Sequence, residues 1–303
     1  KIKFGTDGWR AIIADEYTVH NVARVTEAVC VWLKKQHTNP SIVIGYDCRF
    51  GGKMFTEAAI KVLCTHGIKV FTSKGFVSTP MISFGVLQYQ CNQGIVITAS
   101  HNPPSYNGFK LKGAHGGPTP PSQIQEVEDL IPNHDVKIEG DLEMFEKQGL
   151  LEYVDLEADY IKYIYTKFDI AAFNNSPFKM AYDAMYGAGQ NVIKKLFPNA
   201  LHLHCDGNPS FKGISPEPLH KNLLELSQNI QKTSELKFGL ANDGDADRIA
   251  LYDEDGKYID SHHIILLLIH YLHKYKNLTG KVAIAASTTL RVNKMCELYG
   301  LPC

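Results

Sequence analysis

A rhythm of short β-branched runs, set between stretches of helical spacing, constrains this chain most. Ile42-Val43-Ile44-Gly45-Tyr46, Ile68-Lys69-Val70-Phe71 and Ile95-Val96-Ile97 read as buried strands. Val22, Val25, Val29 and Leu33 mark one face of an amphipathic helix over Thr18 to about Lys35. Phe55 to His66 reads as a second helix stopped by Gly67, and the proline-marked loop Ser78-Thr79-Pro80 opens a third. Parallel strands need a crossover between them, usually a helix, so this alternation predicts an α/β fold with a mixed, mainly parallel sheet.

The rhythm restarts further along. Lys179 to Tyr182, Leu201 to Cys205 and Lys237 to Ala241 read as strands, with a helix over Gln190 to Phe197 and another, led into by Ser215-Pro216-Glu217-Pro218, through Leu226. Between the two sets lie a flexible turn at Gly113 to Pro121, a charged helix over Ser122 to Ile131, a polar hairpin and linker at 133–150, and a helix over Tyr153 to Lys167. A third unit opens with the hairpin Ile249 to Tyr252 and Tyr258-Ile259, followed by a helix over Ile264 to Lys276 and a strand over Val282 to Ala285. The expected division is 1–150, 151–250 and 251–303, the last an incomplete third domain. At 303 residues the chain is long enough for it.

With 31 basic and 32 acidic residues, nothing pulls the chain generally toward nucleic acid or membrane. The longest apolar run, Ile264 to Ile269, is far too short to span a bilayer. Seven cysteines without a CxxC pair argue against a disulfide framework and suit a reducing cytoplasm. The chain lacks an initiator Met and stops at Leu301-Pro302-Cys303, which reads as a trimmed or truncated protein.

After Ile97 comes a loop longer than a hairpin needs, stiffened by Pro103 and Pro104, and Phe109 to Lys112 alternates beyond it like a second strand. The loop presents Ser100 and His101, with Lys110 just downstream. Taken alone it serves equally well as a turn, with Ser100 and Asn102 bonding their own backbone and Asn107-Gly108 supplying positive φ. Near the start, Phe4 to Arg10 is a glycine-spaced turn delivering Arg10, either a surface arginine or a fork for phosphate.

The second chemical signal is Asp243, Asp245 and Asp247, alternating with Gly244 and Ala246 at a strand end. Alternate residues of extended chain share a face, and three converging carboxylates repel unless a cation lies among them. Oxygen ligands of this kind suit Mg²⁺ or Ca²⁺. A solvated acidic turn is the plainer alternative. An EF-hand is excluded: Glu254 falls at position 12, but the required glycine at position 6 is Arg248 and the flanks are strands. A haloacid-dehalogenase-type phosphatase also uses strand-end aspartates, but here the candidate nucleophile lies in the other unit. His202, His204, Cys205 and Asp206 fall on one strand, with 202 and 204 facing away from 205, and read as core or surface residues; His262-His263 has the same standing. Gly187-Ala188-Gly189 reads as a helix entry.

A stiff loop with Ser100, a divalent-cation loop, Lys110 and Arg10 together spell phosphoryl transfer. FGTDGWR, TASHNPPSYNGFK and NDGDADR, in this order and spacing, resemble the α-D-phosphohexomutases, particularly the phosphoglucomutase/phosphomannomutase branch. The resemblance implies that Ser100 carries a phosphoryl group and that Asp243, Asp245 and Asp247 hold Mg²⁺, with the Ser100 phosphate completing the shell. It implies that Arg10 lies near that phosphate, that His101 and Lys110 are the acid/base and phosphate-contacting pair, and that Arg248 reaches the substrate. Hexose 1-phosphate and 6-phosphate would interconvert through a hexose 1,6-bisphosphate. A phosphoglucosamine mutase ranks lower, because PPSYNGFK resembles the glucose/mannose branch more; a non-catalytic sugar-phosphate-binding relative is the alternative from another class. Family members have four domains. The sugar-reading Glu-x-Ser-Gly-type motif and the phosphate-binding Ser-Gly-Thr motif of the last two are absent here, so the expectation is a fragment of low activity. The preferred hexose and the oligomeric state are not written in this sequence.

Overall fold

The computed structural model describes residues 2–5 and 8–303. Thr6 and Asp7 of the FGTDGWR stretch lie outside the described residues. The chain begins with β1 (Trp9–Ile12), α1 (Val19–Gln36), β2 (Ser41–Tyr46), α2 (Gly52–Thr65), β3 (Lys69–Thr72), α3 (Thr79–Gln88), β4 (Gln93–Ile97) and β5 (Tyr106–Gly113). Then follow α4 (Pro121–Asp129), α5 (Leu142–Lys147) and β6 (Leu151–Tyr153). These strands form one sheet in the order β1-β5-β4-β2-β3-β6. β4, β2, β3 and β6 run parallel; β5 pairs antiparallel with both β4 and β1, so it alone runs against the other strands.

Helix signals in the sequence act where they stand. Thr18 caps α1 by accepting the Asn21 N–H, and Val22, Val25, Val29 and Leu33 are fully buried against the sheet. Ser78 caps α3 in the same way through the Met81 N–H. Ile95, Val96 and Ile97 of β4 are wholly excluded from solvent, worth about 1.5–3 kcal/mol for each such side chain.

The second unit comprises α6 (Leu156–Lys167), α7 (Ile170–Asn174), β7 (Lys179–Asp183), α8 (Gln190–Leu196), β8 (Leu201–Leu203), α9 (Leu224–Lys232), β9 (Leu236–Asn242), β10 (Ile249–Tyr252) and β11 (Tyr258–Ile259). Its sheet runs β11-β10-β9-β7-β8. The two units share a core: Val43, Ile82, Val86 and Val96 of the first pack in one cluster with Leu156, Ile170, Val192 and Leu196. Gly85 on α3 permits the close approach, since a Cβ there would stand 2.7 Å from Leu156 Cδ2.

Strand pairing runs across the expected divisions. β6 belongs to the first sheet, carrying it to Tyr153 rather than ending near 150. β10 and β11, expected in the third unit, extend the second sheet: β10 pairs with β9 from Ile249↔Asn242 to Tyr252↔Gly239, so the ladder continues past the aspartate loop to Ile259. The helix expected to follow Pro218 and run through Leu226 is instead Leu224–Lys232, with a short 3-10 turn at His220–Asn222 between the prolines and its start. The last part holds α10 (Ser261–His270), a π-type turn at Tyr271–Tyr275 and α11 (Arg291–Tyr299). The strand expected at Val282 to Ala285 does not form. Val282 and Ile284 pack on the helices, but no strand runs alongside among the described residues, and Val282 N–H bonds Pro302 O instead. No helix of the described residues is long and apolar enough to cross a membrane.

Candidate active site

Site loops leave the carboxyl ends of β2, β4 and β9, the end where open α/β sheets bind ligands. After β4, Thr98 Oγ1 accepts the Ser100 N–H at 2.9 Å, and Ser100 adopts the left-handed region at φ 54°. Such a conformation is uncommon for a residue with a Cβ and is typical of residues held at functional sites. Ser100 is 1% exposed. Its hydroxyl donates to Asp243 Oδ2 at 2.8 Å, and His101 Nδ1 lies 3.4 Å from the serine oxygen.

Residues 243–247 turn tightly after β9, with Ala246 at φ 57°. Asp243 Oδ1 accepts the N–H groups of Asp247 and Arg248, both at 3.0 Å, and so closes the turn on itself. Ala188 N–H donates to Gly244 O, and a Cβ at Gly187 would meet the Asp243 and Gly244 carbonyls at 2.8 Å. From the first unit, Thr79 at the start of α3 donates its hydroxyl to Asp245 Oδ2 at 2.6 Å and its N–H to Asp245 O at 2.9 Å. Lys110, on β5 and buried, lies 2.8 Å from Asp245 Oδ2 and 3.0 Å from Asp247 Oδ2.

The electrostatics follow from this packing. Burial, with the charges of Asp245 and Asp247, raises the Asp243 carboxyl well above the ordinary range. Burial works to raise Asp245 as well, but the Lys110 charge and the bonds from Lys110 and Thr79 hold it down to about 2. Burial and the nearby Arg248 charge lower His101, which favours its neutral, proton-accepting form. The carboxylate oxygens of Asp243, Asp245 and Asp247 lie within 4.8 Å of one another, and Asp245 Oδ1 is buried without a hydrogen-bond partner. An all-oxygen donor set with such an oxygen to spare fits a hard divalent cation.

The structure therefore brings Ser100, His101, Lys110, Asp243, Asp245 and Asp247 together across the boundary between the units. Arg10 joins them from strand β1, just past the Gly5 N–H to Gly8 O contact, and donates to Asn102 Oδ1 of the serine loop at 2.8 Å. Arg248 stands at the rim, half-exposed, with Glu217 at 3.9 Å. His204 Nδ1 lies 2.9 Å from both carboxylate oxygens of buried Asp183.

Sequence reasoning missed Thr79, Asp47, Thr98 and Arg49. Asp47-Cys48-Arg49 reads as a plain turn, yet both charged side chains are buried. Arg49 donates to four carbonyls of the serine loop: Ser100 at 2.5 Å, Asn102 at 2.6 Å, Pro103 at 2.8 Å and Tyr106 at 3.2 Å. Its Nε lies 3.2 Å from Asp47 Oδ2, which also accepts the Thr98 hydroxyl. Burial pushes Asp47 up to about 6 even against the Arg49 charge. The available signal was an acid and a base directly after a wholly apolar strand.

A hydroxyl loop facing three carboxylates, on two α/β units that share a core, defines the kind of protein. Residues 1–137 match the family model described as phosphoglucomutase/phosphomannomutase, alpha/beta/alpha domain I, and residues 158–256 match that of domain II. The chain belongs to the α-D-phosphohexomutase family. It is 32% identical over 297 residues to a phosphoglucosamine mutase of Finegoldia magna, covering 94% of this chain and 63% of that protein. It is 32% identical over 311 residues to a phosphoglucomutase of Staphylococcus haemolyticus, covering 95% and 56%. The crystal structure of a "putative phosphomannomutase" from Thermus thermophilus superposes with a TM-score of 0.91 at 30% identity, covering 99% of this chain and 68% of that one. The chain thus spans less than two thirds of the length of the first two relatives.

Proposed function

We propose that this chain carries the phosphoserine and metal halves of a phosphohexomutase, which interconverts hexose 1-phosphate and hexose 6-phosphate through a hexose 1,6-bisphosphate. The observation that carries the reading is Ser100 Oγ, 2.8 Å from Asp243 Oδ2 in a loop with three converging carboxylates. Asp243, Asp245 and Asp247 would hold Mg²⁺ together with the Ser100 phosphate. When bound, the ion neutralises phosphate charge and lowers the barrier to its transfer.

The chain's own residues do the rest. A hydroxyl of the hexose monophosphate attacks phosphorus on phospho-Ser100, and the new O–P bond forms as the Oγ–P bond breaks. Neutral His101 receives the hydroxyl proton and gives it to the departing Ser100 oxygen, which lies 3.4 Å from its Nδ1, so serine leaves as the hydroxyl and the imidazole is neutral again. Lys110 supplies positive charge beside Asp245 and Asp247, and Arg10, through Asn102, steadies the loop and faces its phosphate. Arg248 at the rim meets the sugar phosphate. The bisphosphate then turns over and returns its other phosphoryl group to Ser100.

Glucose or mannose phosphates and glucosamine phosphate stand level as substrates. A relative named for each of two branches matches at the same 32% identity, so the preference for the glucose/mannose branch drawn from PPSYNGFK has no support in the comparisons. The test supplies hexose 1,6-bisphosphates of glucose and glucosamine with Mg²⁺ and follows released hexose monophosphate. One equivalent per chain, absent in Ser100→Ala, is expected. Equal release by Ser100→Ala would contradict the phosphoserine reading, and binding of the bisphosphate without release by wild type would favour a non-catalytic sugar-phosphate-binding relative.

A further inference from the structure

Arg49 is 3% exposed, and its guanidinium is spent on the loop that carries Ser100. Burying an arginine is costly unless its charge is paired and its donors are satisfied. Here the charge is paired by Asp47, whose Oδ2 lies 3.2 Å from Nε without a hydrogen bond, and the two terminal nitrogens reach four backbone carbonyls between Ser100 and Tyr106. The contacts close a ring. Arg49 Nη2 donates to Ser100 O, Ser100 N–H donates to Thr98 Oγ1, the Thr98 hydroxyl donates to Asp47 Oδ2, and Asp47 Oδ2 returns to Arg49 Nε. Ser100 is thereby held at both its N–H and its carbonyl, in a left-handed conformation that its own side chain disfavours. The ring of Phe211, from the second unit, covers the guanidinium at 5.0 Å.

We propose that Arg49 is the positioning residue for Ser100: its planar fork, braced by Asp47 and Thr98, sets the backbone from which the serine oxygen faces the aspartate loop. The geometry of the fork matters, not the charge alone. A lysine ammonium has three donors at one point and cannot span carbonyls distributed over Ser100 to Tyr106. Arg49 does not touch the reacting atoms. Its effect on transfer rests on the phosphoserine reading above, whereas its effect on the loop does not.

The experiment measures amide hydrogen exchange over 98–108 in the full chain, for wild type, Arg49→Lys, Arg49→Ala and the near-isosteric Thr98→Val. Exchange in that segment is expected to rise by about tenfold or more in Arg49→Lys and Thr98→Val, with strands β2 and β4 still protected. Guanidinium at about 10 mM, unlike the same concentration of ammonium, should restore protection in Arg49→Ala, a rescue that a general packing role would not show. Unchanged exchange over 98–108 in both Arg49→Lys and Thr98→Val would overturn the proposal, as would equal rescue by ammonium. If Arg49→Lys does not fold, Thr98→Val decides. Phosphoryl uptake by the same variants adds the functional arm: failure of wild type to take up phosphate counts against the phosphoserine reading, while the exchange result still judges the clamp.

Discussion

Gly244 lets the two loops pack closely: a Cβ there would stand 2.6 Å from Ser100 O and 3.0 Å from Pro216 Cγ. The first of these is backbone and cannot swing aside. Gly244→Ala should therefore displace the serine loop, lowering stability by about 1–3 kcal/mol in denaturant unfolding and phosphoryl uptake by about tenfold or more. Wild-type behaviour in both would mean the loops are not in contact. His204 offers a test away from the chemistry. Its bond to buried Asp183 raises its pKa above the ordinary 6.5; burial opposes the shift, Asp183 and Glu225 add to it, and Lys212 opposes it. A raised folded value means stability fully present below the unfolded pKa and lost as pH rises through the folded one. The gap in melting temperature between wild type and His204→Asn should thus be largest below the ordinary value of 6.5 and shrink as pH rises above it. A gap independent of pH would show that the pair does not titrate in this way.

Element by element, local signals are the ones the sequence displays. The strands β2 and β4, the caps Thr18 and Ser78, the serine loop and the aspartate loop are each written in a few contiguous residues. Arg49 and Thr79 could not be read in that way, because their roles come from strand order. β2 lies beside β4 although a helix, a strand and another helix separate them in the chain, and only this adjacency puts Arg49 under the serine loop. The same holds for β10, whose pairing with β9 spans the aspartate loop and moves it out of the expected third unit. Val282 to Ala285 has the composition of a strand but no neighbouring edge among the described residues. Thr79 makes the N-terminus of α3 a contact for the second unit. Removing its hydroxyl in Thr79→Val, a bond to a carboxylate worth about 1.5–3 kcal/mol, should weaken divalent-cation binding by about tenfold in calorimetric titration. Unaltered affinity would remove Asp245 orientation by Thr79 from the account.

Across the whole molecule, chemistry is divided between units that share a core. Ser100 and Lys110 come from the first, the aspartates from the second, and the contacts between them depend on Leu156, Ile170, Val192 and Leu196 packing against the first sheet's helices and strands. That arrangement predicts a single cooperative thermal transition for the two units. Leu156→Ala should lower stability by about 2–5 kcal/mol while loosening the site as well. Two separated transitions in wild-type calorimetry would show that the units fold independently. The central claim is that Ser100 accepts and carries a phosphoryl group in front of the aspartate loop. The most direct measurement is peptide mass mapping after incubation with hexose 1,6-bisphosphate and Mg²⁺. The account predicts one phosphoryl group on the peptide containing Ser100, absent when Mg²⁺ is chelated and absent in Asp245→Asn. A phosphoryl group on another residue, or none in protein that still converts hexose phosphates, would contradict it.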